Sequence, residues 1–180
     1  MKFQDLGFRL VELRAVEPED LSLLYEWENN PTVWKVSNTL VPFSRYSLKR
    51  YIESDPSDIY AQRQVRMMID CCNEDKKIRT VGTIDLFDLD PLHQRAGIGI
   101  LIVSEDDRRQ GYAYEALLQV IDYCRKILFL HQLYCNIAVG NVASIKLFEK
   151  AGFEITGTKK EWLRKETGWE DELLMQLRLG

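Results

Sequence analysis

The stretch from Gly97 to Val139 constrains the fold more than any other part of the chain, because its hydrophobic period changes twice. Gly97 to Val103 is a nearly unbroken aliphatic run, the pattern of a strand buried on both faces. From Gly111 onward Ala113, Leu117, Val120, Ile121, Cys124 and Ile127 recur at intervals of three and four, which predicts a long amphipathic helix. Leu133, Cys135, Ile137 and Val139 then alternate with Tyr134, Asn136 and Ala138, which predicts another strand. Strand, helix, strand implies a parallel crossover.

On either side the signals are shorter. Phe8 to Arg14 alternates as a first strand, Pro18 with Glu19 and Asp20 opens a helix, and Asn29-Asn30-Pro31 stops it. Lys35 to Leu40 reads as a loop. Ser44 caps a second helix, with Leu48, Tyr51 and Ile52 as its apolar stripe, ending near Asp55-Pro56. Val65 to Cys71 and Thr80 to Leu89 are strands joined by an exposed loop at 73–77, so the middle of the sheet is antiparallel. A short helix spans Asn141 to Ala151, with Gly152 as its stop, and the tail from Phe153 to Leu179 makes two strands around Thr167-Gly168. No repeat or linker interrupts the 180 residues, so a single α/β (α+β) domain over 1–180 is expected.

Charge and cysteine usage exclude several classes. With 24 Lys and Arg against 28 Asp and Glu the chain carries a net charge of -4, so it has no overall positive field for nucleic acid or an anionic membrane and would not repel a cationic small molecule. Cys71, Cys72, Cys124 and Cys135 form no CxxC pair, and His93 and His131 complete no zinc spacing, so no metal is expected and the thiols read as reduced and buried. Charges at Lys2, Asp5, Arg9, Glu12 and Arg14 break any signal-peptide core, and Ile98 to Val103 falls far short of the ~20 residues a membrane helix needs. A cytoplasmic protein is expected.

Two motifs carry chemistry. Arg108-Arg109-Gln110-Gly111-Tyr112-Ala113 lies between the aliphatic strand and the long helix, where free amide hydrogens and the helix dipole can bind a diphosphate and Gly111 lets a phosphate approach the backbone. Asn141-Val142-Ala143-Ser144, followed by Phe148 and Ala151-Gly152-Phe153, stands after the next strand. By itself it is a capped helix with a glycine stop.

Together, and with Val81 to Asp90, His93 to Gly97 and Trp27-Glu28-Asn29-Asn30, these segments resemble the GNAT N-acetyltransferase superfamily. Within it they are most similar to bacterial spermidine and diamine N-acetyltransferases and to ribosomal-protein N-terminal acetyltransferases. The resemblance implies a mixed sheet of about seven strands flanked by about four helices, with splayed parallel strands forming an acetyl-CoA cleft. It implies that the backbone of Ile100, Leu101 and Ile102 pairs with pantetheine, that Arg108, Arg109, Gln110, Gly111, Tyr112 and Ala113 take the diphosphate, and that Asn141, Ser144 and Phe148 line the cysteamine end.

The acceptor amine, with a reference pKa of about 10.4, must lose a proton before it attacks the thioester, and an acid assists the departing thiolate. Direct attack passes through a tetrahedral oxyanion that a backbone N–H of the fourth strand can hold. Many relatives place a Tyr where this chain has Phe148 and a Glu where it has Gly97. Tyr112, Tyr114 and Tyr134 are therefore candidate donors, and Asp85, Asp88 and Glu28 candidate bases or ammonium anchors. A mechanism in which water relays the proton needs neither lost group. The expected activity is acetylation of a small polyamine or diamine, with possible self-association of the chain. The alternatives are acetylation of a protein N-terminus and a module that binds acetyl-CoA without turnover.

Overall fold

The computed structural model describes residues 10–37, 39–54, 59–72 and 78–180. The elements run β1 (Val11–Ala15), α1 (Leu21–Glu28), α2 (Pro31–Ser37), α3 (Arg45–Glu53), α4 (Ile59–Gln62), β2 (Val65–Cys72), β3 (Ile78–Asp90), β4 (Arg95–Ile102), α5 (Tyr112–Lys126), β5 (Gln132–Ala138), α6 (Val142–Lys150), β6 (Glu154–Lys165) and β7 (Gly168–Arg178), with single 3-10 turns at Pro18–Asp20 and Glu105–Asp107. The four expected helices are present, together with two short ones, α2 and α4, that the sequence pattern did not indicate. Part of the segment read as a loop from Lys35 is the end of α2, because Pro31 preorganises a first turn. The 73–77 loop, Asp55-Pro56 and the start of the Phe8 strand lie outside the described residues.

All strands join one open sheet in the order β1-β2-β3-β4-β5-β7-β6. Every neighbouring pair is antiparallel except β4 with β5, which the α5 crossover makes parallel. One face carries α5, whose Ala116, Leu117, Val120, Ile121 and Cys124 bury against Val11, Ile69, Val81, Ile98 and Leu133 in the main core. Leu24, Val33, Leu48 and Met68 are also buried but lie outside that cluster, packing α1, α2 and α3 over the other face.

Local chemistry fixes the ends of the functional helices. Ser44 Oγ accepts from the Ser47 amide at 3.0 Å and starts α3. Asn141 Oδ1 accepts from the Ser144 amide at 3.2 Å and starts α6. At the far end of α6 the Phe153 amide donates to the Phe148 carbonyl at 3.0 Å and that of Gly152 to the Glu149 carbonyl at 2.9 Å, with Gly152 left-handed at φ +95°.

The β4–β5 ladder is short. It holds for Arg95↔Gln132, Ala96↔Leu133 and Gly97↔Tyr134, after which β4 continues with β3 as far as Ile102↔Gly82 and β5 with β7 as far as Ala138↔Glu172. The two parallel strands therefore part beyond Gly97. This corrects the reading of Gly97 to Val103 as buried on both faces. Ala96, Gly97 and Ile98 are buried, but Gly99 to Ile102 are half-buried, because the space beside them is open.

Candidate active site

The parting of β4 from β5 opens a cleft of about 1910 Å³. One wall is the free edge of β4, including Ile100, Leu101 and Ile102; the other is the free edge of β5 from Cys135 to Ala138, continued by Asn141 and Ser144. A strand edge without a partner presents amide and carbonyl groups that must find other hydrogen bonds. Pantetheine, with two amides in an extended chain, fits that requirement.

At one end of the cleft stands the start of α5. Arg109 and Gly111 are both left-handed, at φ +65° and +88°, and they turn the chain into the helix. The first helical bond runs from the Glu115 amide to the Gly111 carbonyl at 3.1 Å, so the amides of Tyr112, Ala113 and Tyr114 precede any intrahelical acceptor. Arg108, Arg109, Lys146 and Lys150 line this end. Glu105 and Asp107 also line it, with Glu105 3.7 Å from Arg108, and the free amides, the helix N-terminus and the remaining excess of cations suit a diphosphate.

Two of the expected loop residues serve the protein itself. Arg108 donates from Nε to the Ile102 carbonyl and from Nη2 to the Val103 carbonyl, both at 3.2 Å, tying the loop to the end of β4. Gln110 lies outside the cleft lining, and its amide nitrogen reaches back to the Asp106 carbonyl at 3.5 Å.

The other end of the cleft is acidic. Asp85 of β3 and Arg66 of β2 are register partners, and Arg66 Nε lies 2.6 Å from Asp85 Oδ1. The same guanidinium bonds Glu28 at the end of α1 and lies 5.9 Å from the centre of the Tyr51 ring on α3. All four residues line the cleft. Burial pushes the Asp85 carboxyl above the ordinary carboxylate value, with Arg66 pulling the other way. Burial also raises Tyr51, against the pull of Arg66. Across the cleft Lys159 meets Glu172 and Lys165 meets Glu170, each at 2.8 Å, with Trp162 beside Lys159.

The three candidate tyrosines are not brought together. Tyr112 lines the cleft, but its hydroxyl contacts the Cys71 thiol on β2; burial, then Cys71, raises it. Tyr134 lies outside the lining with Asp88, to which its hydroxyl donates at 3.2 Å, and burial raises it above the usual phenol value. Tyr114 lies under the Lys150 ammonium at 4.1 Å. Asp88 is thus separated from Glu28 and Asp85, because its left-handed φ of +49° and the bulge between the Phe87↔Gly97 and Asp90↔Arg95 pairs turn it toward Tyr134.

The two departures from the family pattern have local causes. Phe148 is 3% exposed and packs edge-on against Phe153, with ring centres 5.0 Å apart. In front of Gly97 the ring of Phe87 occupies the space a side chain would need, edge-on to Tyr134 at 5.9 Å. Sequence reasoning missed Arg66, Tyr51 and Phe87. Arg66 and Tyr51 lie in elements that the sequence marks only by their apolar positions, and nothing in it sets Arg66 opposite Asp85; the β2–β3 register does that.

The GNAT acetyltransferase domain family matches residues 10–154. Spermidine N(1)-acetyltransferase of Escherichia coli K12 is 28% identical over 150 residues, covering 82% of this chain and 74% of the relative. The enzyme of the same name from Vibrio cholerae is 27% identical over 144 residues, covering 78% of this chain and 77% of its own. The crystal structure of spermidine N-acetyltransferase from Vibrio cholerae in complex with CoA and spermine superposes with a TM-score of 0.80 at 23% identity, over 94% of this chain and 96% of that one, a likeness of fold. The parted strands, the amide-rich helix start and the family match lead to one conclusion: the chain belongs to the GNAT acetyltransferase family and is an acetyl-CoA-dependent acyltransferase.

Proposed function

We propose that the protein transfers an acetyl group from acetyl-CoA to a primary amine of a small polyamine or diamine, by direct attack while both substrates are bound. The observation that carries the reading is the polarity of the cleft: cations gather where α5 begins, and the opposite end holds Glu28 and Asp85 with one guanidinium between them. An anionic carrier and a cationic acceptor are thereby drawn to different ends of one channel. The curated relatives from Escherichia coli and Vibrio cholerae are spermidine acetyltransferases, which supports the amine class.

Acetyl-CoA supplies the activated thioester. In this reading the amides of Tyr112, Ala113 and Tyr114, with Arg109, hold the diphosphate, the free edge of β4 at Ile100 to Ile102 holds the pantetheine amides, and Ser144 and Asn141 border the arm near its thiol end. Glu28 and Asp85 orient the acceptor through its ammonium. The reacting ammonium gives one proton to water in the open cleft, and the neutral nitrogen bonds to the acetyl carbon; the tetrahedral oxyanion then collapses with cleavage of the carbon–sulfur bond, and the second proton of the nitrogen passes through water to the departing CoA thiolate. Positioning supplies much of the rate in such a site, so it operates without a tyrosine at position 148.

We also read residues 1–180 as one acetyltransferase domain of a cytoplasmic protein; among the described residues no helix is long and apolar enough to cross a membrane. A dodecameric structure of the Vibrio cholerae enzyme supports self-association of this chain, which sedimentation measures. The functional reading is tested by incubating purified protein and acetyl-CoA with diamines, polyamines and peptides bearing free N-termini, following thiol release and product mass. Acetylated diamines or polyamines are expected. Acetylated peptides alone would reject the small-amine acceptor.

A further inference from the structure

Arg66 stands at the acceptor end, and no step of the reaction above uses it. Its guanidinium is held between two carboxylates from different elements, Asp85 of β3 at 2.6 Å and Glu28 of α1, and it faces the Tyr51 ring. Its side chain is 23% exposed, with Glu28 at 16% and Asp85 at 27%, so the three sit at the wall of the cleft and are neither lost in the core nor free in solvent. A guanidinium remains charged throughout the physiological range, so its contribution is fixed.

The charge count at this end follows. Among the described residues, two carboxylates and one guanidinium leave a single negative charge. On the facing wall Lys159 is paired with Glu172 and Lys165 with Glu170, each at 2.8 Å, so that wall adds none. The attacking nitrogen must be neutral, and it brings no charge of its own. Any further amine of the substrate is an ammonium at neutral pH.

We propose that Arg66 determines acceptor specificity: by cancelling one of the two carboxylate charges it matches the site to an amine bearing one ammonium beyond the reacting nitrogen, a diamine. A triamine or tetra-amine brings two or three such charges to a site with one to neutralise, and the surplus meets Arg66 itself. This inference rests on the amine-acetylation reading and narrows it.

The test compares kcat/KM, from thiol release, for a monoamine, a diamine, a triamine and a tetra-amine of matched spacing, in the wild type and in Arg66→Met, Arg66→Lys and Glu28→Gln. The wild type is expected to prefer the diamine, and that preference should weaken as salt is raised. Arg66→Met is expected to raise the triamine-to-diamine ratio about tenfold and Arg66→Lys to restore it, while Glu28→Gln lowers the diamine-to-monoamine ratio by about the same factor. A wild-type preference for the tetra-amine, a preference for amines that carry a carboxylate, or ratios unmoved by Arg66→Met and Glu28→Gln would overturn the inference while leaving amine acetylation standing. Thiol release with none of the amines would overturn both. Where a variant does not fold, a wild-type preference for the tetra-amine still overturns the inference.

Discussion

Phe87 and Gly97 are register partners across β3 and β4, and the Phe87 ring lies over the glycine in the place of its missing side chain. A β-carbon built on Gly97 would stand 2.5 Å from the ring Cζ and 2.7 Å from Cδ2. The pair sits where β4 and β5 begin to part, so it closes the narrow end of the cleft with carbon. The ring takes the volume that the side chain the family resemblance suggests at position 97 would need.

Gly97→Ala should therefore overpack the strand and cost about 1–3 kcal/mol in urea unfolding. Phe87→Ala should lose its own packing, yet the double variant should be more stable than the sum of the two single effects, because each change relieves the other. Strictly additive effects would mean the contact is not made in solution.

Gly111 holds φ +88° at the point where α5 begins. Gly111→Glu puts a charged side chain where a diphosphate approaches and forces an L-residue into a left-handed conformation. Calorimetric titration should show the Kd for CoA rising at least tenfold, roughly 1.4 kcal/mol. Unchanged affinity in a folded variant would place the diphosphate elsewhere.

Tyr112 and Tyr134 spend their hydroxyls on Cys71 and Asp88, away from the reacting end of the cleft. Tyr112→Phe and Tyr134→Phe should each keep kcat within about threefold, whereas loss of a true proton donor costs on the order of a hundredfold or more. A drop of that larger size in either variant would return its hydroxyl to the chemistry.

Burial pushes the Cys124 and Cys135 thiols from an ordinary value of 9.0 up to about 12. Because the folded value is the higher one, their contribution to stability is complete below the unfolded value and is lost as the pH rises toward 12. Urea midpoints should fall from about pH 8 to pH 10.5, and Cys124→Ala should fall less steeply, so that the gap between variant and wild type narrows. A gap that stays constant would show that the thiol does not titrate in this range.

The order of elements was legible in the sequence because each long element carries its own period, and the motifs around Gly111 and Asn141 indicated a carrier-binding cleft through their resemblance to the GNAT family. The net charge of -4 was compatible with a cationic acceptor, and the resemblance gave the amine class. The two short helices α2 and α4 were not legible, since four to seven residues hold too few turns to show a period. Nor were the partners of the acidic residues. Asp85 and Asp88 stand three positions apart in the chain, yet a bulge and a left-handed turn send one to Arg66 and the other to Tyr134. Register decides such pairings, and register is set by contacts between strands that no single strand encodes. Local pattern thus determined what this chain folds into; long-range packing decided which charges meet inside the cleft.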